Sequence, residues 1–411
     1  MAATTTTNAL IRTTALIILL LTLTSPSPSH ATTTRHNRSP PIIKGIYYPS
    51  WARWSLPPSS IDTTLFTHIF YAFLTPNPLT FEFDNIPQAD ALFITNFTSH
   101  LRSRNVKTLF SVGGAAEGPS LFSRMASSPS SRAAFIRSSI RTARALGFHG
   151  IDLDWEFPQN SADMENLSTL LDEWRAAVRA EAARTGPAPL LLTAAVYYAA
   201  DGFLSGAPRV YPARSVARNL DFVNVMCYDY RGGWDTSTTG AHAALFDPRS
   251  NVSTSRGLGS WVRAGVPRGK VVMGMPLYGR TWRLRDAAVA SGVGAPAVGV
   301  GPGEGVLRYA EIVVFNRERR ARVVYDRETV SVYSVAGSDW VGYDDVRSVR
   351  VKVGYARGMG LGGYFFWAAN GDYNWTISRA VLSFAIMVFL RATTMTTGLK
   401  NDMVLRSNSS T

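Results

Sequence analysis

The chain has 411 residues, 46% of them apolar, and 42 Lys and Arg stand against 29 Asp and Glu for a formal charge of +13. That much apolar sequence fills one large α/β barrel or two to three ordinary domains, and it excludes a chain that is disordered throughout. The positive balance invites nucleic acid, yet the arginines are scattered; the one dense cluster, Arg317-Glu318-Arg319-Arg320-Ala321-Arg322, reads as a solvated helix face or turn.

From the N-terminus, Arg12 precedes the apolar run Ala15 to Leu23, and Ser29-His30-Ala31 follows as a small-x-small cleavage site. Residues 1–31 therefore read as a signal peptide and 32–40 as a linker, with the mature chain starting near Thr32. The apolar run is short for a membrane span, so a secreted, extracellular protein is expected, with the vacuole left open and no membrane partner. Sequons at Asn37, Asn96, Asn166, Asn251, Asn374 and Asn408 fit that route. Cys227 is the single cysteine, which excludes an intrachain disulfide, and its apolar surroundings predict an inert buried thiol.

Eight short apolar runs follow, with helical stretches between them: Ile42 to Tyr47, His68 to Phe73, Thr108 to Val112, Gly150 to Trp155, Leu190 to Val196, Phe222 to Cys227, Val271 to Met275, and Gly363 to Phe366. Ala89 to Arg104, Ser131 to Leu146 and Ala162 to Arg184 carry apolar residues at helical spacing, stopped by Gly147 and Gly186. Eight strand-helix units predict an α/β fold, the (β/α)8 TIM barrel, over 41–281 and 345–390. Between strands seven and eight, residues 282–344 break the rhythm with a Gly/Val/Ala/Pro-rich stretch and β-branched runs, which predicts a small α+β insertion subdomain. Helical spacing resumes from Asp345 to Arg357. Ile377 to Leu390 reads as a closing barrel helix, and 391–411 as a polar, disordered tail.

The fourth run carries the chemistry. Gly150-Ile151-Asp152-Leu153-Asp154-Trp155-Glu156 sets three carboxylates at alternate positions of an apolar strand, all on one face and roughly 6.6 Å apart. Such groups are costly to bury, and mutual repulsion keeps at least one protonated near neutral pH, as a general acid requires. Barrel active sites lie where strands end at their C-terminal side. There the sequence places Tyr47-Tyr48, Tyr71-Ala72-Phe73, Ser111-Val112-Gly113-Gly114, Met226-Cys227-Tyr228-Asp229, Met275-Pro276-Leu277-Tyr278 and Trp367. Aromatic walls around a few carboxylates suit sugars, whose ring faces stack while their hydroxyls hydrogen-bond.

Ser111-x-Gly113-Gly114, Asp152-x-Asp154-x-Glu156, Met226-x-Tyr228-Asp229 and the late Trp367 resemble the family 18 glycoside hydrolases, most closely the plant class V chitinases, across nearly all of residues 41 to 390. The resemblance implies hydrolysis of β-1,4 bonds between N-acetylglucosamine units with retention, the substrate's own acetamido carbonyl serving as nucleophile. It implies Glu156 as acid and later base, Asp154 as the partner of the acetamido N–H, Asp152 as the group that tunes Asp154, and Tyr228 as a donor to the acetamido oxygen. Trp367 would floor the sugar site. Asp229 would support the network or touch substrate, while Tyr47, Phe73, Met275 and Tyr278 stand between substrate wall and core filler. The partner is chitin or its oligosaccharides; no metal, cofactor or nucleic acid is implied, and a monomer is expected. Two features depart from the family pattern. His149 stands where many members have Asp, within reach of a hydrogen bond to Asp152, and the loop Tyr230-Arg231-Gly232-Gly233-Trp234 is short. The rivals are a lectin or inhibitor on the same barrel and an endo-β-N-acetylglucosaminidase.

Overall fold

The computed structural model describes residues 42–202 and 210–382. The expected signal peptide, linker and polar tail lie outside the described residues. Seven parallel strands come first: β1 (Ile43–Pro49), β2 (His68–Leu74), β3 (Lys107–Gly113), β4 (Gly150–Asp154), β5 (Leu191–Val196), β6 (Phe222–Val225) and β7 (Val271–Pro276). A second, antiparallel sheet follows, built from β8 (Tyr278–Leu284), β9 (Ala297–Val300), β10 (Val306–Arg308), β11 (Arg322–Asp326), β12 (Ser331–Ala336) and β13 (Asp339–Tyr343). Finally β14 (Gly363–Trp367) slots between β7 and β1 and closes the barrel. The fold is the expected TIM barrel with an added sheet.

Both faces of the barrel strands are buried, so the runs read as continuously apolar rather than alternating. Tyr47, Phe70, Leu109, Phe222, Val272 and Phe365 fill the interior. Ile46, Ile69, Phe110, Ile151, Leu192, Val223 and Phe366 face the helices instead. Each such side chain contributes about 1.5–3 kcal/mol by leaving water. The helices are α1 (Gln88–Arg102), α2 (Pro119–Ser127), α3 (Pro129–Ala145), α4 (Ser161–Thr185), α5 (Ala213–Asn219), α6 (Thr254–Arg263), α7 (Tyr309–Glu318) and α8 (Val346–Gly358). Local signals set their ends: Asn160 accepts from the Asp163 amide at the start of α4, and Gly186, at φ +93°, stops it. Trp174 of α4 meets the Phe135 ring of α3 edge-on at 5.0 Å, locking the two helices together.

The added sheet has the order β10-β8-β13-β12-β11, with β9 also on β8, around Trp282, Trp340 and Tyr333. It starts at Tyr278, directly after β7, ahead of the Trp282 boundary that the sequence rhythm suggests. Its first strand therefore stands at the barrel mouth. The basic run at Arg317 is the end of α7, the turn after it and the first residue of β11. Residues 376–382 are helical, and the rest of the expected closing helix lies outside the described residues.

Candidate active site

Asp152 sits in the barrel interior with no exposure. Tyr47 Oη and Ser111 Oγ both donate to its Oδ2 at 2.8 Å, and Thr193 Oγ1 donates to its Oδ1 at 2.6 Å. Asn224 Nδ2 in turn donates to Tyr47 Oη at 3.0 Å. Three other strands thus converge on one carboxyl, and β6 supports it through Tyr47. Burial pushes its proton affinity up, and the three hydroxyl donors pull against that without cancelling it.

Asp154, two residues on, lacks that support. Its Oδ1 is buried with no hydrogen-bond partner among the described residues. Burial first, then the charges of Glu156 and Asp152, and then its own hydrogen bond to Glu156 hold its carboxyl well above the usual range. Glu156 is pushed up to about 7 by burial and by the negative charge of Asp229, while the Ala115 amide and the Asp154 hydrogen bond act in the opposite sense. The pair therefore holds a proton more tightly than ordinary carboxyls do, with one acceptor oxygen left free for a ligand.

Around that oxygen the pocket is lined by Tyr47, Phe73, Met226, Tyr228, Tyr278 and Trp367 beside Asp154, Glu156 and Asp229. Burial and the surrounding tyrosine and carboxylates keep the Tyr228 hydroxyl protonated, so it is a donor. Trp367 packs near-parallel to Phe73 at 5.7 Å and lies 5.4 Å from the Tyr47 ring. The site thus gathers every residue expected for it except one. Met275 does not reach the pocket: it is 1% exposed and packs among the residues that face the helices. Val272 of the same strand faces inward, so strand alternation turns Met275 outward, and Met226 lines the pocket in its place. Two aromatics beyond the expected set also stand here: Trp51, 61% exposed and 6.5 Å from the Trp367 ring, and Trp54, 85% exposed. Both follow strand one in the run Tyr47-Tyr48-Pro49-Ser50-Trp51-Ala52-Arg53-Trp54, which was the available signal.

Asp229 adopts φ +59°, a left-handed conformation that Asp tolerates better than most residues. Arg280 of β8 donates to its Oδ1 through Nε at 2.9 Å and Nη2 at 2.8 Å, and His242 Nδ1 stands 3.5 Å from the same oxygen. Burial alone would raise the Asp229 carboxyl, but His242 and Arg280 outweigh it and hold it below the usual range. His149 is a second correction. Its Nδ1 accepts from the Thr108 amide at 3.0 Å, so the ring is tied to the start of β3 and does not touch Asp152. Burial, then Arg102 and Lys107, push its proton affinity down. The loop after Asp229 places Trp234 under the Arg280 guanidinium, 5.1 Å from the ring centroid.

Gly113 lets β3 approach this constellation. Gly113, at φ +112°, pairs with Asp154, and a Cβ there would stand 2.2 Å from the Asp154 carbonyl oxygen. Gly113→Ala is therefore expected to destabilise the fold by at least about 1–3 kcal/mol through strain and to displace Asp154. Denaturant unfolding checks this, and an unchanged midpoint would show that the close approach is dispensable.

Carboxyls whose proton affinity burial raises, at the mouth of a TIM barrel and in an aromatic pocket, define a glycoside-cleaving type of site. The family model for glycosyl hydrolases family 18 matches residues 44–372, and the chain belongs to that family. It is 51% identical over 346 residues to Nod factor hydrolase protein 1 of Medicago truncatula, covering 82% of this chain and 89% of that protein. It is 49% identical over 340 residues to class V chitinase CHIT5b of the same organism, covering 82% and 88%. Among solved structures, a mutant of the class V chitinase of Nicotiana tobaccum in complex with NAG4 matches at 44% identity and a TM-score of 0.79, covering 84% of this chain and 99% of that one.

Proposed function

We propose that this family 18 glycoside hydrolase is an exported chitinase that cleaves β-1,4 bonds between N-acetylglucosamine units inside a chain, by retention with substrate assistance. The observation that carries the reading is the free Oδ1 of Asp154 in a pocket beside Glu156, whose proton affinity burial and the Asp229 charge push up to about 7. A 2-acetamido group seated over Trp367 would place its N–H on that oxygen and its carbonyl under the Tyr228 hydroxyl. The carbonyl oxygen then attacks the anomeric carbon while Glu156 passes its proton to the departing glycosidic oxygen. As Glu156 becomes an anion, the hydrogen bond from Asp154 strengthens and offsets the new charge. Glu156 next takes a proton from the water that opens the oxazolinium ring. No protein nucleophile enters this scheme, and Asp229, gripped by Arg280, is not free to be one. Two further depressions adjoin the pocket: one shares Phe73 with it and adds Arg53, Trp54, Asn85 and Asp90, the other shares Asp229, Tyr278 and Trp367 and adds Arg280, Arg308 and Asn370, and Trp51 lines both. That extended cleft supports binding of several sugars and internal cleavage. The signal-like N-terminus supports export.

Product analysis on chitin hexamer is the test, with fragments that keep the β-anomer expected first. Binding without products would favour a lectin, and exclusive cleavage of an N-glycopeptide would favour an endo-β-N-acetylglucosaminidase. A second substrate has a specific observation behind it, the 51% identity to a protein named as a Nod factor hydrolase. Cleavage of Nod factor with the hexamer untouched would replace chitin as the substrate.

A further inference from the structure

His242 is a buried group that the reaction scheme leaves without a task. It lies in the loop between β6 and α6, is 1% exposed, and neither ring nitrogen has a hydrogen-bond partner within bonding distance among the described residues. Buried polar atoms are nearly always paired, so two orphaned nitrogens on one ring call for a physical reason. The ring is held in place: it packs on Tyr278 with centroids 5.1 Å apart, and its backbone carbonyl accepts from the Tyr230 amide at 2.9 Å. So placed, Nδ1 points at Asp229 Oδ1 from 3.5 Å, short of a hydrogen bond by a few tenths of an ångström. Asp229 is itself in a conformation that costs energy unless its neighbours impose it, and its charge is the foremost of the neighbouring charges acting on Glu156.

We infer that His242 is a positioning residue for Asp229: its Nδ1–H closes onto the carboxylate when a sugar chain fills the cleft, and fixes the charge that faces Glu156. The inference rests on the reading that the cleft takes N-acetylglucosamine chains. Hydrogen bonds in an unliganded active site are often long and tighten in the complex. The charged and titratable groups around the ring are Asp229 from the loop after β6, Arg280 and Tyr278 from β8, and the Lys352–Asp344 pair, which reaches the neighbouring Ala243 carbonyl. A hydrogen bond to the ionised form holds a carboxyl's proton affinity down. With a depressed value, the contribution of the clamp is present at higher pH and is lost as pH falls through it, so removing His242 moves that loss to higher pH.

The test follows kcat at saturating chitin hexamer, whose pH limbs report the sugar-filled enzyme, and hexamer binding by tryptophan fluorescence, across the acidic and neutral range. His242→Gln carries its amide at the place of Nε2 and is expected to shift the acidic limb up by about one pH unit. His242→Asn, whose N–H falls at the place of Nδ1, should restore the limb, and the basic limb should stay put in both. An unmoved limb in H242Q overturns the inference, as does an equal displacement in H242N and H242Q, which would mark the ring as filler. Should the wild-type protein bind hexamer without cleaving it, the chitinase reading fails while the binding limb still decides the role of His242. If it binds no hexamer at any pH, both fall.

Discussion

Glu156→Gln is expected to lower turnover of a chito-oligosaccharide by about 10²–10⁴-fold while leaving its affinity nearly unchanged. The amide keeps the shape of the carboxyl and its place beside the Ala115 backbone, but it has no acid proton to give. Reducing-end assays and calorimetric binding measure the two quantities separately, and near-normal turnover would assign the acid to another residue. The pH dependence carries the same argument. Glu156 is raised to about 7, so the enzyme loses its acid as pH climbs through that value, and the basic limb of kcat/KM should fall there. Stability has the same sign: a carboxyl raised above its ordinary value of about 4.3 favours the folded state below that value, and the benefit disappears as pH rises through 7. An enzyme still fully active well above neutrality would contradict the assignment.

The acidic triplet was legible because charge inside an apolar strand is rare enough to signal function, and the strands were legible as short apolar runs. Parity within those runs was not. Barrel strands are buried on both faces, so nothing in Val271-Val272-Met273-Gly274-Met275 says which residues look inward, and the outward turn of Met275 has no mark in the sequence. The same blindness hid Met226, although it lies inside one of the motifs. Helices α2, α5, α6 and α7 escaped because each runs ten residues or fewer, too short for a clear apolar period between longer patterns. Arg280 and His242 were missed for another reason. Both lie far from the triplet in sequence, and only the start of the added sheet at Tyr278, together with the loop after β6, brings them onto Asp229. Hydrophobic rhythm reports the framework, whereas a charge clamp made by a loop and an added sheet leaves no periodic trace.

The second large effect is on stability, and it reaches the site from behind. Lys352 of α8 is 2% exposed; its Nζ stands 2.5 Å from Asp344 Oδ2 and donates to the Ala243 carbonyl at 2.5 Å. Lys352→Ala would leave the Asp344 carboxylate buried with the Ser348 hydroxyl as its remaining side-chain donor. Breaking a buried pair on one side costs about 3–5 kcal/mol, since one charge stays behind without compensation. Denaturant unfolding of K352A is expected to show a loss of that size, and a loss below about 1 kcal/mol would mean that the pair relaxes into solvent. The double variant Lys352→Met with Asp344→Leu removes both charges and should recover most of the stability, because an apolar pair of similar volume often packs as well as the ions. It should not recover the active site in full. Ala243 follows His242 directly, so the lysine anchors the loop that turns the imidazole toward Asp229, and the apolar pair cannot donate to that carbonyl. A stable double variant whose acidic limb is displaced like that of H242Q would tie the buried ion pair to the position of His242, and one with the wild-type limb would separate them.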